Sequence, residues 1–316
     1  MRWFVLIWVL LNVWAINAFN LEARIPVIKR GLSGSYFGYS VAEHQELTED
    51  GTEKAKSWML IGAPLDQNRQ PETNRSGALW QCPLTTYTRD CIQVITDGRS
   101  SFDSDDLVPP GKDEIKDNQW LGVTVRSQGV GGKVMVCAHR HIVKTADSRW
   151  GQGQCYILTQ DLKYQDLKKP CSGKPTNKAH EQFGYCQAGT SGILTSEDRV
   201  VIGTPGPHTW KGTLYLFTVS DEFLNRDNTV YNVPMQDSSP VNKYSYLGMS
   251  VAVGNFFGNG LSYAAGAPRS KGTGQVVILT RKDIKPDMDV ALILSGEQFA
   301  SSFGYEITSA DVNGDK

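Results

Sequence analysis

Three short motifs recur in the same order along the 316-residue chain, and a period of this size confines the fold to an array of like units. Tyr36-Phe37-Gly38-Tyr39-Ser40-Val41 returns as Trp120-Leu121-Gly122-Val123-Thr124-Val125, as Phe183-Gly184-Tyr185, as Tyr246-Leu247-Gly248-Met249-Ser250-Val251 and as Phe303-Gly304-Tyr305. Behind the first four come Ile61-Gly62-Ala63-Pro64, Val136-Cys137-Ala138-His139, Ile202-Gly203-Thr204-Pro205 and Ala265-Gly266-Ala267-Pro268. Each unit then closes on a further glycine: Gly77-Ala78-Leu79-Trp80, Gly153-Gln154-Cys155-Tyr156, Gly212-Thr213-Leu214-Tyr215 and Gly274-Gln275-Val276-Val277. Every unit thus offers several short apolar or alternating runs ended by Gly or Pro, the pattern of a small antiparallel sheet. About four strands per unit makes a propeller blade, so the expected fold is an all-β propeller of four-stranded blades. The units fall near 36–95, 118–160, 181–220 and 244–282, with a partial one at 300–316.

Composition narrows the function classes. With 32 basic against 33 acidic residues and a net charge of -1, the chain lacks the clustered surplus of Lys and Arg that phosphate contacts need. The counts of 31 Gly, 14 Pro, 11 Phe, 12 Tyr and 8 Trp suit short strands and tight turns. Residues 1–18 read as a secretory signal peptide: Met-Arg, an apolar run from Trp3, and a small residue at Ala18. In that compartment the six cysteines are expected to form three disulfides. Pairing in order (Cys82 with Cys91, Cys137 with Cys155, Cys171 with Cys186) closes short local loops, although six cysteines allow 15 connectivities. Asn74-Arg75-Ser76 is a glycosylation acceptor sequence, with Asn74 as the attachment point. Stretch 97–118 reads as a solvated acidic insertion. No Gly-x-Ser-x-Gly elbow or His-Glu-x-x-His is present, and His139 and His141, which alternation would put on one strand face, find no third metal ligand at a recognisable spacing. No catalytic residues are expected.

The repeats resemble the FG-GAP repeats of integrin α subunits. The likeness runs from Phe19-Asn20-Leu21-Glu22, similar to the start of mature α chains, to Lys316. Asp117 to Val125, followed by Gln128 to Arg140, is similar to the second repeat of the laminin-binding branch. The resemblance implies a seven-bladed propeller, of which about four and a half blades are present, and it supports pairing of cysteines in order. It implies Ca²⁺ as a cofactor: Asp311, Asn313 and Asp315 stand at positions 1, 3 and 5 of a hairpin calcium loop whose remaining ligand falls beyond Lys316. The chain is expected to continue through further repeats to a membrane anchor. As written, its unclosed ring would leave unpaired edges and poor solubility.

The resemblance also implies a heterodimer with an integrin β subunit at the cell surface. In the family, aromatics at the channel mouth hold a cationic side chain of the β partner. Tyr39 and Trp210 match that ring, with Trp120 and Tyr305 beside them, while Thr190 and Met249 stand where other members often carry aromatics. The spacing of repeats leaves no room for an inserted ligand-binding domain. Receptors for Arg-Gly-Asp ligands carry acids before the third and fourth repeats. The matching neighbourhoods here hold Glu181 and Lys243, which points to an extracellular-matrix ligand of laminin type, tuned by the connector 220–243 with Asp221, Glu222 and Lys243. The alternative is a secreted propeller that acts as a lectin, inhibitor or decoy without a β partner.

Overall fold

The computed structural model describes residues 26–48, 51–101, 104, 106–219, 228–258, 260–281, 285–312 and 314, without the side chain of Ala55. The expected signal peptide therefore lies outside the described residues, as do Asp221, Glu222, Asn313 and Asp315.

Four antiparallel four-stranded sheets follow one another along the chain, making the fold a partial β-propeller. The first joins β1 (Ser40–Leu47), β2 (Lys54–Ala63), β3 (Ala78–Pro83) and β4 (Ile92–Gln93). The second orders β6 (Thr124–Ser127), β7 (Val134–Ala138), β10 (Gln154–Leu158) and β11 (Tyr164–Lys168). The third runs β12 (Ser191–Leu194), β13 (Arg199–Thr204), β14 (Thr213–Thr218), β15 (Tyr231–Asn232), and the fourth β16 (Ser250–Gly254), β17 (Ser262–Ala267), β18 (Gln275–Thr280), β19 (Asp289–Ser295). A small sheet of β5 (Glu114–Ile115), β8 (Ile142–Lys144) and β9 (Arg149–Gly151) sits apart from the blades.

The core is layered between blades, which explains the sequence pattern. Middle strands are covered on both faces, so β7 (VMVCA) and β10 (QCYIL) are buried throughout and read as continuous runs rather than alternations. One layer packs Leu60 and Leu79 of the first blade against Val125, Val136 and Tyr156 of the second. Another sets Val201, Leu214 and Leu216 against Val251, Tyr263 and Val277.

The third motif closes each seam. Gly77 bridges to Leu121, Gly153 to Ala188, Gly212 to Leu247 and Gly274 to Phe303, each in parallel sense. Only a residue without Cβ fits: at Gly77, φ is +89° and a Cβ would lie 2.2 Å from the Leu121 oxygen. These seams correct the reading of the third repeat. Ala188, not Phe183, occupies the position of Leu121 and Leu247, and Gly189 donates to the Gly203 carbonyl as Gly122 does to that of Cys137. The third-repeat turn is Gln187-Ala188-Gly189-Thr190, and Phe183-Gly184-Tyr185 belongs to the connector before it.

The disulfides are Cys82–Cys91, Cys137–Cys155 and Cys171–Cys186. Cys137 and Cys155 face each other in register on β7 and β10. Cys137 stands where the other blades carry Gly62, Gly203 and Gly266.

Candidate functional site

First strands line a central channel. Ser40, Thr124, Ser191 and Val251, from the first strand of each blade, border a hollow of about 450 Å³ whose rim includes Tyr39, His139, Thr190, Met249 and Tyr305. Apart from His139, which follows β7, these rim residues come from the tight turns that open the blades, and the residue three before each takes positive φ: Tyr36, Gln187, Tyr246 and Ser302, as Trp120 does before Val123 in the second blade. The connections between second and third strands emerge at the same end. This end is the upper face.

Tyr39 and Tyr305 thus stand together at the channel rim, both exposed. Trp120 lies just outside, half-buried, with its ring 5.6 Å from Tyr39 and 5.9 Å from Tyr36, edge-on to both. His139, in the place of the motif proline, meets Trp120 edge-on at 5.6 Å. Arg140 sets its guanidinium 5.6 Å from the Trp120 centroid. Burial, reinforced by the charge of Arg140, lowers the His139 pKa to about 4, so this imidazole is neutral at physiological pH.

Trp210 sits elsewhere, in a second aromatic group. It stacks on Tyr185 at 6.4 Å, on Tyr244 at 6.1 Å and on His180 at 5.5 Å. Three successive residues, His208, Thr209 and Trp210, take φ of 54°, 59° and 53° in a single left-handed turn. Such a run costs about 1 kcal/mol or more per residue, and here the packed surroundings impose it. The carbonyls of Thr209, Trp210 and Lys211 accept the amides of Tyr244, Tyr246 and Leu247, tying this turn to the segment with Lys243. Glu181 and Lys243 are both exposed beside this group.

Stretch 97–118 is not simply a solvated insertion. Asp97 and Lys116 are buried and paired at 2.6 Å, and Gln119 Nε2 donates to the other Asp97 oxygen at 3.0 Å. Lys116 also approaches Glu114 at 3.3 Å, whose second oxygen meets His141 Nε2 at 2.9 Å. Burial alone would raise the Glu114 carboxyl, but His141 and Lys116 overcome it and hold its pKa at about 2. Burial dominates at His141, whose pKa is lowered despite Glu114. The network ends directly before Trp120, so it fixes the turn that carries that ring. His139 and His141 do not share a site: one faces Trp120 and the other Glu114. Sequence reasoning misses this network because the buried partner of Lys116 is 19 residues away.

Among the described residues no group of three or more His, Cys, Asp or Glu side chains could hold a metal ion. Asp311 is exposed and its Oδ1 accepts the Gly314 amide at 2.7 Å, closing a local turn. Asn74 is exposed, and its backbone N–H donates to Asp117 Oδ1. No helix among the described residues is long and apolar enough to cross a membrane.

The upper face is therefore a repeat-built propeller surface that carries two aromatic groups. Comparison with known proteins agrees with that class. No family model matches the chain. It is 38% identical over 320 residues to integrin alpha-7 of Rattus norvegicus, a match covering 95% of this chain and 26% of that protein. It is 34% identical to integrin alpha-6 of Gallus gallus, covering 95% and 28%, and 33% identical to integrin alpha-V of Gallus gallus, covering 95% and 28%. The chain is an N-terminal region of the integrin α family. It spans about a quarter of the length of these relatives.

Proposed function

We propose that the chain is the propeller region of a cell-adhesion receptor subunit that pairs with an integrin β subunit at the cell surface and binds an extracellular-matrix protein, laminin in the first instance. The observation that carries the reading is the open upper face, where Tyr39 and Tyr305 share the channel rim and Trp120 stands edge-on to Tyr39. Exposed aromatic faces around a hollow suit a cationic side chain from a partner, an attraction of about 2 kcal/mol when desolvated. Trp210 serves the second aromatic group rather than the rim. Lys243 beside it disfavours an Arg-bearing ligand and supports the laminin reading, to which Asp221 and Glu222 of the connector contribute. Ca²⁺ would be held by Asp311, Asn313 and Asp315, and a glycan by Asn74.

The test is the full-length product, coexpressed with integrin β subunits, carrying Tyr39→Ala and Tyr305→Ala. Loss of surface heterodimer with the chain still synthesised supports the reading. Undiminished pairing overturns the role of the rim, and export of the chain without a β partner favours the secreted alternative.

A further inference from the structure

Between the connector that leads from the first blade to the second and the outer strand β11 lies a cavity of about 670 Å³, a size that holds a small organic ligand. It shares no residue with the channel rim. Gln70 lines it and is only 3% exposed. Its Nε2 donates to the Val108 carbonyl at 2.9 Å, which fixes the orientation of the amide, and its Oε1 has no hydrogen-bond partner among the described residues. Native proteins meet a buried acceptor of this kind with water or with a ligand. Lys116, buried in the same wall, directs two of its three N–H groups to Asp97 and Glu114 and keeps one more to donate. The apolar part is formed by Tyr164 and Leu167 of β11 with Pro109 of the connector, and the Tyr164 ring is set edge-on to Tyr156 at 6.4 Å. Lys169 is exposed and lines the outer part.

We infer that this cavity binds a sugar residue of a glycan, with one ring hydroxyl donating to Gln70 Oε1, another accepting from Lys116 Nζ, and the C–H face of the ring on Tyr164 and Leu167. The wall asks for a donor, an acceptor and an apolar face on one small body, and a pyranose carries all three because each hydroxyl both donates and accepts. A simple carboxylate has nothing to give Gln70. An apolar ligand leaves Gln70 and Lys116 unsatisfied, and a cation meets the like charges of Lys116 and Lys169. The sugar has two possible sources with the same chemistry. One is a glycan of another molecule, and the other is the chain's own glycan at Asn74, an exposed residue four positions after Gln70. The inference stands apart from the reading of β-subunit pairing, because no residue of the cavity belongs to the rim.

The experiment is saturation-transfer NMR on the purified full-length product, unaltered and as Asn74→Gln, with the methyl glycosides of galactose, mannose and N-acetylglucosamine as probes. Transfer to at least one of the three is expected. Binding by both proteins assigns the cavity to a glycan of another molecule, and binding by Asn74→Gln alone assigns it to the chain's own glycan; either result supports the site. Gln70→Leu, which removes the acceptor, should weaken the bound probe roughly tenfold or more. Leu167→Trp, which fills the cavity, should abolish binding, and Lys169→Ala, at an exposed position that tolerates the change, should weaken it about threefold. Surface expression of each variant serves as the control for folding. No transfer to any of the three probes by either protein overturns the inference and leaves the cavity to water. Binding that survives all three cavity substitutions in folded protein also overturns it, because the sugar then sits elsewhere. Loss of β-subunit pairing with sugar binding intact would count against the pairing reading alone.

Discussion

The Ser250 hydroxyl donates a 2.8 Å hydrogen bond to the carbonyl oxygen of Gly304, 54 residues later in the next blade's opening turn. Ser40 makes the same bond to Gly122 at 2.8 Å, Thr124 to Gly189 at 2.9 Å and Ser191 to Gly248 at 2.9 Å. Each blade thus reaches across the channel wall to satisfy a carbonyl that the tight turn of its neighbour leaves without a ladder partner. Removing the hydroxyl strands that carbonyl. Ser191→Ala is expected to destabilise the propeller by about 1 to 3 kcal/mol, seen as lower secretion and easier proteolysis of the receptor ectodomain, while Ser191→Thr retains the bond. Equal behaviour of the two variants would refute the role.

Close backbone contact sets a second, sharper requirement. A Cβ on Gly203 would meet the Gly248 oxygen at 2.2 Å, and one on Gly266 would meet the Gly304 oxygen at 1.9 Å. Gly203→Ala should block export of the receptor, because the clash is with backbone and cannot be relieved by a rotamer. Gly151→Ala is the control: its Cβ would find nothing nearer than Tyr185 Cδ1 at 4.0 Å, and surface expression should be unchanged.

The Asp97–Lys116 pair yields a third expectation. With side chains 3% and 8% exposed, removal of the ammonium leaves a carboxylate buried without its cation. Lys116→Met should cost about 3 to 5 kcal/mol, and adding Asp97→Asn should recover part of it. The readout is thermal inactivation of β-subunit binding, since the network supports the turn before Trp120.

Acid should loosen the second blade in two stages. His139 has its pKa lowered from 6.5 to about 4, and that of His141 is also lowered, so below about pH 6.5 the unfolded chain takes up protons that the native one does not. Stability contributed by these groups therefore falls as pH drops from about 6.5 towards 4. Glu114 acts lower: its pKa is depressed from 4.5 to about 2, so its contribution is present above about 4.5 and is lost as pH falls towards 2. Hydrogen exchange of β7 and β8 in the intact ectodomain, corrected for intrinsic rates, should accelerate between about pH 7.5 and about pH 5. His139→Pro, which restores the residue of the other blades, should reduce the change.

Much of this was legible in the sequence, and the exceptions have physical causes. Repeats, strand ends at Gly-Ala-Pro and the all-β fold follow from local patterns. The third repeat misleads because Phe183-Gly184-Tyr185 imitates the aromatic turn, whereas the true turn, Gln187-Ala188-Gly189-Thr190, has no aromatic. The hydroxyl was the better signal: Gly38-Tyr39-Ser40, Gly122-Val123-Thr124, Gly189-Thr190-Ser191 and Gly248-Met249-Ser250 share Gly-x-Ser/Thr, which the interblade bond requires. Trp210 matches the family ring in sequence, but the left-handed turn over His208–Trp210 directs it into the stack with Tyr185 and Tyr244. The burial of Asp97 and Lys116 depends on tertiary pairing and leaves no periodic trace.

The most direct test of the central claim is reciprocal recovery of the full-length product and an integrin β subunit from the surface of cells expressing both. The account predicts a stoichiometric heterodimer that is lost when Tyr39 and Tyr305 are replaced together and kept in the Gly151→Ala control. A chain that reaches the surface or the medium alone, and never with a β subunit, would contradict it.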